Sequence, residues 1–581
     1  MESRRLGPNE LQDLFLEEAD DIVSPLPSEE ESENEDEILH IEEEEDEEDD
    51  DDNDDELVPN DESEHVFGKD GTVWNTLPIG NVRGLPLEYR TVRESCGPIG
   101  AAKEKKNIEE CWAIFLPDSM LDNIVKHTNS KITTVKHNYS SNVSTPTSIV
   151  ELKAVIGLLY LLGYYKSNRM ALSDFFEKDG TGIEVFRAAI SLKRFRFLLD
   201  CLRFDDMDTR DERKKIDKLA PIRDVVDEFA NTCRSNYCHS ENVTVDEMLP
   251  SFRGRCGFKV YIPSKPNKYG IKIFAVVDAK TKYMSNMEIY TGVQPSGPFS
   301  VDNSAKQVVK RLLLHMKGSG RNVTMDNWFT SYSLAKELLD EYQISLVGTI
   351  RRNRREIPPE FTTTRGRAQF SSVFGHQKEA TLVSYTAKKN KNVVLLSTKH
   401  KDANIDEDTM EKQKPEIITF YNRTKGGVDT LDQLCSLYGV ERKTRRWPMV
   451  IFYSILNIAG VNAYVTFKSN GGSVSSRRDF IKKLGMNLIQ DQLEYRRNLP
   501  GLAKDIKHSI AFIRPLPKES IQPGITEASR VRCNICPRGK DIKTKYRCAK
   551  CSSAVCRNHL LVLCTQCSAT HQEDENETEE V

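Results

Sequence analysis

The first residues, Met1 to Glu10, lack the apolar stretch of a secretory leader, so secretion is not expected. The Asn-x-Ser/Thr triplets at Asn138, Asn142, Asn242, Asn322, Asn422 and Asn576 therefore read as ordinary sequence rather than glycan sites. Long apolar runs are almost missing as well. Only Met449 to Phe467 is long enough to cross a bilayer. It contains Ser454, Asn457, Gly460 and Asn462 and has no companion segment, which favours a buried core helix and no membrane. Cysteine is sparse outside one place: half of the 14 lie between Cys533 and Cys567. The other seven, Cys201, Cys233 and Cys435 among them, read as buried thiols, since disulfides are disfavoured where secretion is not expected.

Basic residues are nearly absent from residues 1–66, where 31 Asp and Glu face two Arg. The formal charge of -7 for 581 residues therefore hides a division. Without that arm the chain carries 80 basic and 58 acidic residues, a net charge of +22. A basic body of this size points to a polyanionic partner. The run IEEEEDEEDDDDNDDE cannot offset its own ordering entropy, so residues 1–66 read as a solvated, disordered arm that competes with the polyanion for basic surface. A hydrophobic content of 38% over this length is enough for two to four domains.

Residues 67–106 are punctuated by Pro and Gly and read as a linker. Apolar spacing at i, i+3 and i+4 then predicts helices in the segments starting at Asn107, Ile149, Leu192 and Ile222, an all-helical domain over 107–240. From 241 to 353 the texture changes. Strands are expected at Asn242–Met248, Lys259–Ile262, Ile271–Asp278 and Tyr283–Tyr290, then a helix at Asp302–Met316, a strand at Asn322–Asp326, a helix at Tyr332–Tyr342 and a strand at Ser345–Ile350. Residues 354–415 are basic, turn-rich and β-prone, and read as an inserted β domain. The core resumes over 416–438, helices over 439–510, and a cysteine-rich domain closes the chain at 530–571.

Two stretches echo each other. Asn242–Asp246 and Asn322–Asp326 both run Asn-Val-Thr, one apolar residue, then aspartate. If these strands are neighbours, Asp246 and Asp326 leave the same sheet edge, where unshielded carboxylates demand a cation. Asp278, by contrast, needs no more than a hairpin turn. A third acidic station, KGGVDTLDQ, sets Asp429 and Asp432 on one helical face. Three carboxylate stations suit two divalent ions clamping a phosphoryl transfer, and Mg²⁺ or Mn²⁺ takes such oxygen ligands. Arg351, Arg352, Arg354 and Arg355 form the densest basic cluster, suited to DNA backbone contact or to a solvated loop. Arg445 and Arg446 flank Trp447, which either stacks an unpaired base or opens the core helix that follows.

Near the end, Cys533-x2-Cys536, Cys548-x2-Cys551, Cys556-x2-His559 and Cys564-x2-Cys567 supply eight soft ligands in four pairs, enough for two Zn²⁺. Interleaved pairing puts Cys533, Cys536, Cys556 and His559 on one ion and Cys548, Cys551, Cys564 and Cys567 on the other. Sequential pairing satisfies the ions equally, and His571 rivals His559. Arg532, Lys543, Lys545 and Arg547 suit phosphate contact, with a protein-binding module as the other reading.

TVDEMLPSFRGR, YIPSKPNKYGIK, NVTMDNWFTS, VGTIRRNRREIP, YNRTKGGVDTLDQ and KTRRWPM occur in that order, and with them the chain resembles the piggyBac family of DNA transposases over about 105–570. The resemblance implies a multidomain α/β protein with an RNase H-like catalytic core, which the strand and helix order also suggests. It further implies a β-rich insertion, a split helical dimerisation and DNA-binding domain, and a C-terminal cross-brace zinc finger on the element's terminal DNA. Asp246, Asp326 and Asp429 would be the catalytic triad, with Asp432 in the same pocket. The implied activity is cut-and-paste transposition through hairpin intermediates into TTAA, by a homodimer or larger synaptic assembly on double-stranded DNA, in the nucleus. A domesticated protein that binds DNA or chromatin without cutting is the alternative.

Overall fold

The computed structural model describes residues 39–40, 64–79, 95–167, 170–263, 265, 267–515, 530–547 and 553–559. They fall into two compact units: Met1–Ala171 with Lys193–Ile489, and Leu172–Leu192 with Gln490–Val581.

The first unit contains a ten-stranded sheet. In chain order the strands are β1 (His65–Phe67), β2 (Val73–Asn75), β3 (Asn242–Met248), β4 (Ile273–Asp278), β5 (Met284–Ile289), β6 (Asn322–Met325), β7 (Ser345–Thr349), β8 (Ser372–His376), β9 (Thr381–Lys388) and β10 (Lys391–Ser397). Across the sheet they run β5-β4-β3-β6-β7-β10-β9-β8-β2-β1. β3, β4 and β5 form an antiparallel meander. β6 lies parallel between β3 and β7. Both faces of β3 and β6 are covered, so Val243, Val245, Val323 and Met325 fill one side and Thr244 and Thr324 are buried on the other. The echo between the two strands has a structural counterpart: Asn242 to Val245 pair in register with Asn322 to Met325.

Two expectations about organisation differ from this arrangement. Part of the expected linker is structured: β1 and β2 form a hairpin on the sheet edge. Trp74 there is buried, and its Nε1 donates to Glu356 O at 2.9 Å. One large aromatic outweighed the loop-like composition around it. Residues 354–415, expected as an inserted β domain, do not stand apart from the core, because β10 pairs antiparallel with β7 and continues the sheet outward. An inserted hairpin meets an open strand edge there, and pairing satisfies its backbone groups.

Helices cover the sheet. Those of the first segment are α1 (Ile108–Ala113), α2 (Asp118–Val135) and α3 (Ile149–Tyr164); α4 (Glu184–Ala189) belongs to the second unit. Then come α5 (Leu192–Cys201), α6 (Arg223–Ser235), α7 (Ala305–Leu313), α8 (Tyr332–Tyr342), α9 (Glu416–Thr424), α10 (Gly427–Leu437), α11 (Trp447–Ser469) and α12 (Arg477–Leu488). Helices from before and after the sheet strands pack together. At the α3–α12 crossing a Cβ on Gly157 would lie 2.8 Å from Gly485 O, and one on Gly485 equally close to Gly157 O. Only paired glycines allow that approach. Tyr160 joins three helices, accepting from Trp112 Nε1 at 2.8 Å and donating to Leu456 O at 2.6 Å.

α11 is the one described helix long and apolar enough for a membrane span, and it is buried. Its polar residues serve the fold. Asn462 brackets the β5 backbone, accepting from Met284 N and donating to Met284 O. Of the seven cysteines read as buried thiols, Cys96 and Cys256 are only half-buried. The second unit holds α4, α13 (Gln490–Arg497) and α14 (Lys504–Ile513), with Arg187 paired to Asp505 at 2.6 Å. The helices expected over 107–240 and 439–510 are thus divided between two units.

Candidate functional site

The register of β3 and β6 places the candidate carboxylates. Val245 pairs with Met325, so Asp246 and Asp326 follow side by side at the same end of two parallel strands. Asp326 is the first residue past β6, and its Oδ1 accepts from Trp328 N at 3.0 Å and Phe329 N at 3.4 Å. Those bonds hold the carboxylate at the strand end. Asp246 Oδ1 accepts from Glu247 N at 2.8 Å.

The third station is brought in by threonines. Thr244 Oγ1 donates to Thr424 O at 2.7 Å, and the hydroxyls of Thr324 and Thr424 meet at 2.8 Å. The end of α9 is thereby fastened to β3 and β6 together. α10 follows at once. A Cβ on Gly427 would lie 2.4 Å from Thr244 Oγ1, so the helix reaches the sheet only because that residue is glycine. Asp429 in its first turn and Asp432 one turn on then join the cluster electrostatically. The charge of Asp429 is felt at Asp432 and, with Asp246 and Asp326, at Tyr421.

The acids share a poorly hydrated space. Burial, with Glu247 and Asp326 beside it, holds the Asp246 carboxyl well above the usual range. Burial and Glu247 push Asp326 up to about 6, against the pull of the two N–H groups and Lys272. Burial likewise pushes Asp432 up to about 6, opposed by Lys265. Such a crowd of buried carboxyls is a site short of positive charge, and its all-oxygen donor set fits a hard divalent cation.

Three participants were not visible in the sequence. Glu247 is buried beside Asp246. Lys265 lies 3.5 Å from Glu247; burial alone would lower its ammonium, but Glu247, Asp246 and Asp429 raise it. Lys272 is buried against the stacked rings of Trp328 and Phe274, 4.9 and 5.1 Å from their centroids. The motif YIPSKPNKYGIK held the signal for both lysines, yet only the loop before β4 and the first position ahead of that strand bring them to the acids. Asp278 does end a hairpin strand. It is fully buried and accepts from Ser240 N, Ser240 Oγ, Lys280 N and Thr281 N; burial would raise it, but His239 and these donors hold it down at about 2.

A groove of about 880 Å³ opens at Asp432, with Arg253, Lys259, Lys443 and Arg445 among its walls. Arg445 is exposed. Arg446 is held in place: its guanidinium donates to Leu199 O and Asp200 O at 3.1 Å and also to Leu202 O, closing the C-terminal end of α5. Trp447 is half-buried at the first position of α11, its ring edge-on to Phe258 with centroids 5.0 Å apart. Arg351 and Arg354 lie in the turn after β7, both partly covered, and Arg354 Nε is buried with no hydrogen-bond partner among the described residues.

In the second unit, Cys533, Cys536, Cys556 and His559 converge with all ligand atoms within 4.8 Å of one another. Cys536 Sγ and Cys556 Sγ are 3.7 Å apart, and His559 Nδ1 lies 3.4–3.6 Å from the three sulfurs. A tetrahedral zinc with bonds of about 2.3 Å requires S–S edges of about 3.8 Å. Burial would raise Cys533, but Cys556 N–H and His559 hold its thiol down at about 5, ready to ligate. Cys548, Cys551, Cys564 and Cys567 lie outside the described residues.

Known proteins are similar to this chain in sequence and in fold. The family described as Transposase IS4 matches residues 109–464. The structure of a piggyBac transposase synaptic complex with hairpin DNA superposes with a TM-score of 0.70 at 36% identity, covering 82% of this chain and 100% of that one. Human PiggyBac transposable element-derived protein 3 is 21% identical over 481 residues, 77% of this chain and 74% of its own. Human PiggyBac transposable element-derived protein 2 is 23% identical over 370 residues, 61% and 60% of the two chains.

Proposed function

Because the chain belongs to the piggyBac family of DNA transposases, we propose that it is a metal-dependent DNA transposase that nicks transposon ends, passes through hairpin intermediates and integrates at TTAA. The observation that carries this reading is the convergence of Asp246, Asp326 and Asp429, with Asp432, from three separated segments at one end of β3 and β6. The order β5-β4-β3-β6-β7, a meander continued by two parallel strands, is that of RNase H-like cores and supports it.

Asp246, Asp326 and Asp429 would hold the Mg²⁺ or Mn²⁺ ions, with Asp432 beside them. When bound, such ions lower the pKa of an attacking water or 3′-hydroxyl and offset charge on the leaving oxygen. The chain's own residues prepare that chemistry. The N–H groups of Trp328 and Phe329 fix the Asp326 carboxylate, and the threonine bonds hold α10 against the sheet. Lys265 moderates the repulsion among the acids. The basic walls of the groove give a DNA strand its path to Asp432, and Arg351 and Arg354 would touch its backbone. In the second unit, Cys533, Cys536, Cys556 and His559 would hold one zinc ion and the remaining four cysteines a second. That module would grip terminal repeats, in a homodimer or larger synaptic assembly, and the substrate puts the protein in the nucleus.

A DNA-binding protein that no longer cuts is the second reading, favoured by the human relatives, which are named as transposable-element-derived. Strand cleavage decides between the two. DNA ends beside TTAA, incubated with Mg²⁺, are nicked and closed into hairpins by the native chain and left intact by Asp326→Ala. Tight binding by the native chain without cleavage would overturn the transposase reading.

A further inference from the structure

A second cavity, of about 320 Å³, lies where the end of α5, the short helix Arg210–Lys214 and the start of α11 meet. Arg203, Arg210, Lys214, Arg445 and Arg446 line it, together with Phe204 and Trp447, and no carboxylate does. Two of these cations are fixed by neutral groups. Arg446 donates to carbonyls at the end of α5, and Arg203 to Asp200 O at 2.9 Å and Leu202 O at 2.7 Å. Among the described residues neither has a carboxylate within the 4.0 Å of an ion pair. Arg210 shares the single buried Asp205 with Arg213. Lys214 and Arg445 are exposed and make no ion pair with a described residue.

Like charges are thus held together with only Asp205, shared with Arg213, paired to one of them. Burial and the neighbouring Arg210 depress the Arg203 guanidinium, and burial with Arg203 pushes Arg446 down to about 10. Asp200 is felt at both and Asp205 at Arg203, but they do not cancel the charge. The 23-residue helix α11 adds its positive end: no side chain caps its first N–H groups. Arg445 lines both this cavity and the catalytic groove, so the two are continuous along the surface.

We propose that this pocket binds a backbone phosphate of the DNA strand that leaves the catalytic groove past Arg445. The inference rests on the transposase reading and adds a register-setting contact to it. A phosphate held there carries no sequence information but fixes where the strand lies relative to Asp246 and Asp326. Arg203 and Arg446 build the socket, while Lys214 and Arg445 close on the ligand from solvent.

The test uses the full chain and a short duplex closed at one end by a TTAA hairpin. Binding is measured against salt for the native chain and for Lys214→Gln/Arg445→Gln, which leaves the α5 contacts intact. The same duplex is then made with one neutral methylphosphonate at a time. The expected result is a fall of about 2 in the slope of log affinity against log salt for the variant. One or two adjacent linkages should also weaken native binding about three- to tenfold while leaving the variant unaffected. Identical slopes and identical losses at every linkage, with cleavage by the native chain intact, would overturn the pocket and leave the transposase reading standing. A native chain that neither binds nor cuts this DNA would overturn both. Relief of binding by inorganic phosphate in native and variant alike, without linkage coupling, would also overturn it.

Discussion

Replacing Asp326 by asparagine should abolish cleavage yet stabilise the metal-free protein. In the folded chain the Asp326 carboxyl is pushed from an ordinary 3.8 to about 6 by burial and by Glu247. The folded state therefore binds more protons than the unfolded one between those values, and stability falls as pH rises from about 4 to about 6. Above pH 6 the lost stability amounts to about 3 kcal/mol from this carboxyl alone. Asparagine keeps the acceptor for Trp328 N and Phe329 N but cannot ionise, so Asp326→Asn escapes the loss. In chelator at pH 7.5 its Tm should exceed that of the native chain by about 3 °C, since an unfolding entropy of about 2.1 cal/mol/K per residue over the roughly 470 residues of the first unit gives about 1 °C per kcal/mol. At pH 4 the two should melt together. Mg²⁺ should raise the native Tm at pH 7.5 and the variant's far less. An equal or lower Tm for Asp326→Asn in chelator at pH 7.5, or the same difference at both pH values, would refute the argument that this site is short of positive charge.

Other changes follow from named contacts. Gly427→Ala forces a methyl to within 2.4 Å of Thr244 Oγ1 and should cost about 1–3 kcal/mol in denaturant midpoint while lowering cleavage by displacing Asp429. Thr424→Val removes the hydroxyl that meets Thr324 and should cost about 1 kcal/mol, with a fall in cleavage larger than the fall in DNA affinity. Trp74→Ala empties a buried site and strands Glu356 O; a loss of about 3–5 kcal/mol is expected, read as early proteolysis of residues 64–79. Cys556→Ser should release one of two zinc ions per chain under interleaved pairing, counted by metal analysis, and should leave Mg²⁺-dependent stabilisation of the first unit unchanged.

The candidate site was largely legible because its chemistry is written locally. A β-branched strand ending in aspartate, repeated as Asn242–Asp246 and Asn322–Asp326, states both the element and the position of the acid on its edge. GGVDTLDQ likewise carries its helix start and its acidic face, and paired Cys and His spacings announce the convergence of Cys533, Cys536, Cys556 and His559 without a fold. The basic excess outside residues 1–66 is a sum over residues, independent of arrangement.

What only the tertiary structure decided concerns partners far apart in the chain. Lys265 and Lys272 became counter-charges to the acids through loop placement, and Arg446, expected to contact DNA, is fixed on the carbonyls at the end of α5 because the start of α11 packs there. Trp74 drew an expected linker onto the sheet, and the open edge of β7 absorbed an expected separate domain. Local pattern specifies what a segment can bury or ligate. Which of several satisfying partners it meets depends on long-range packing and on where backbone hydrogen bonds remain to be made, and those are properties of the folded chain as a whole.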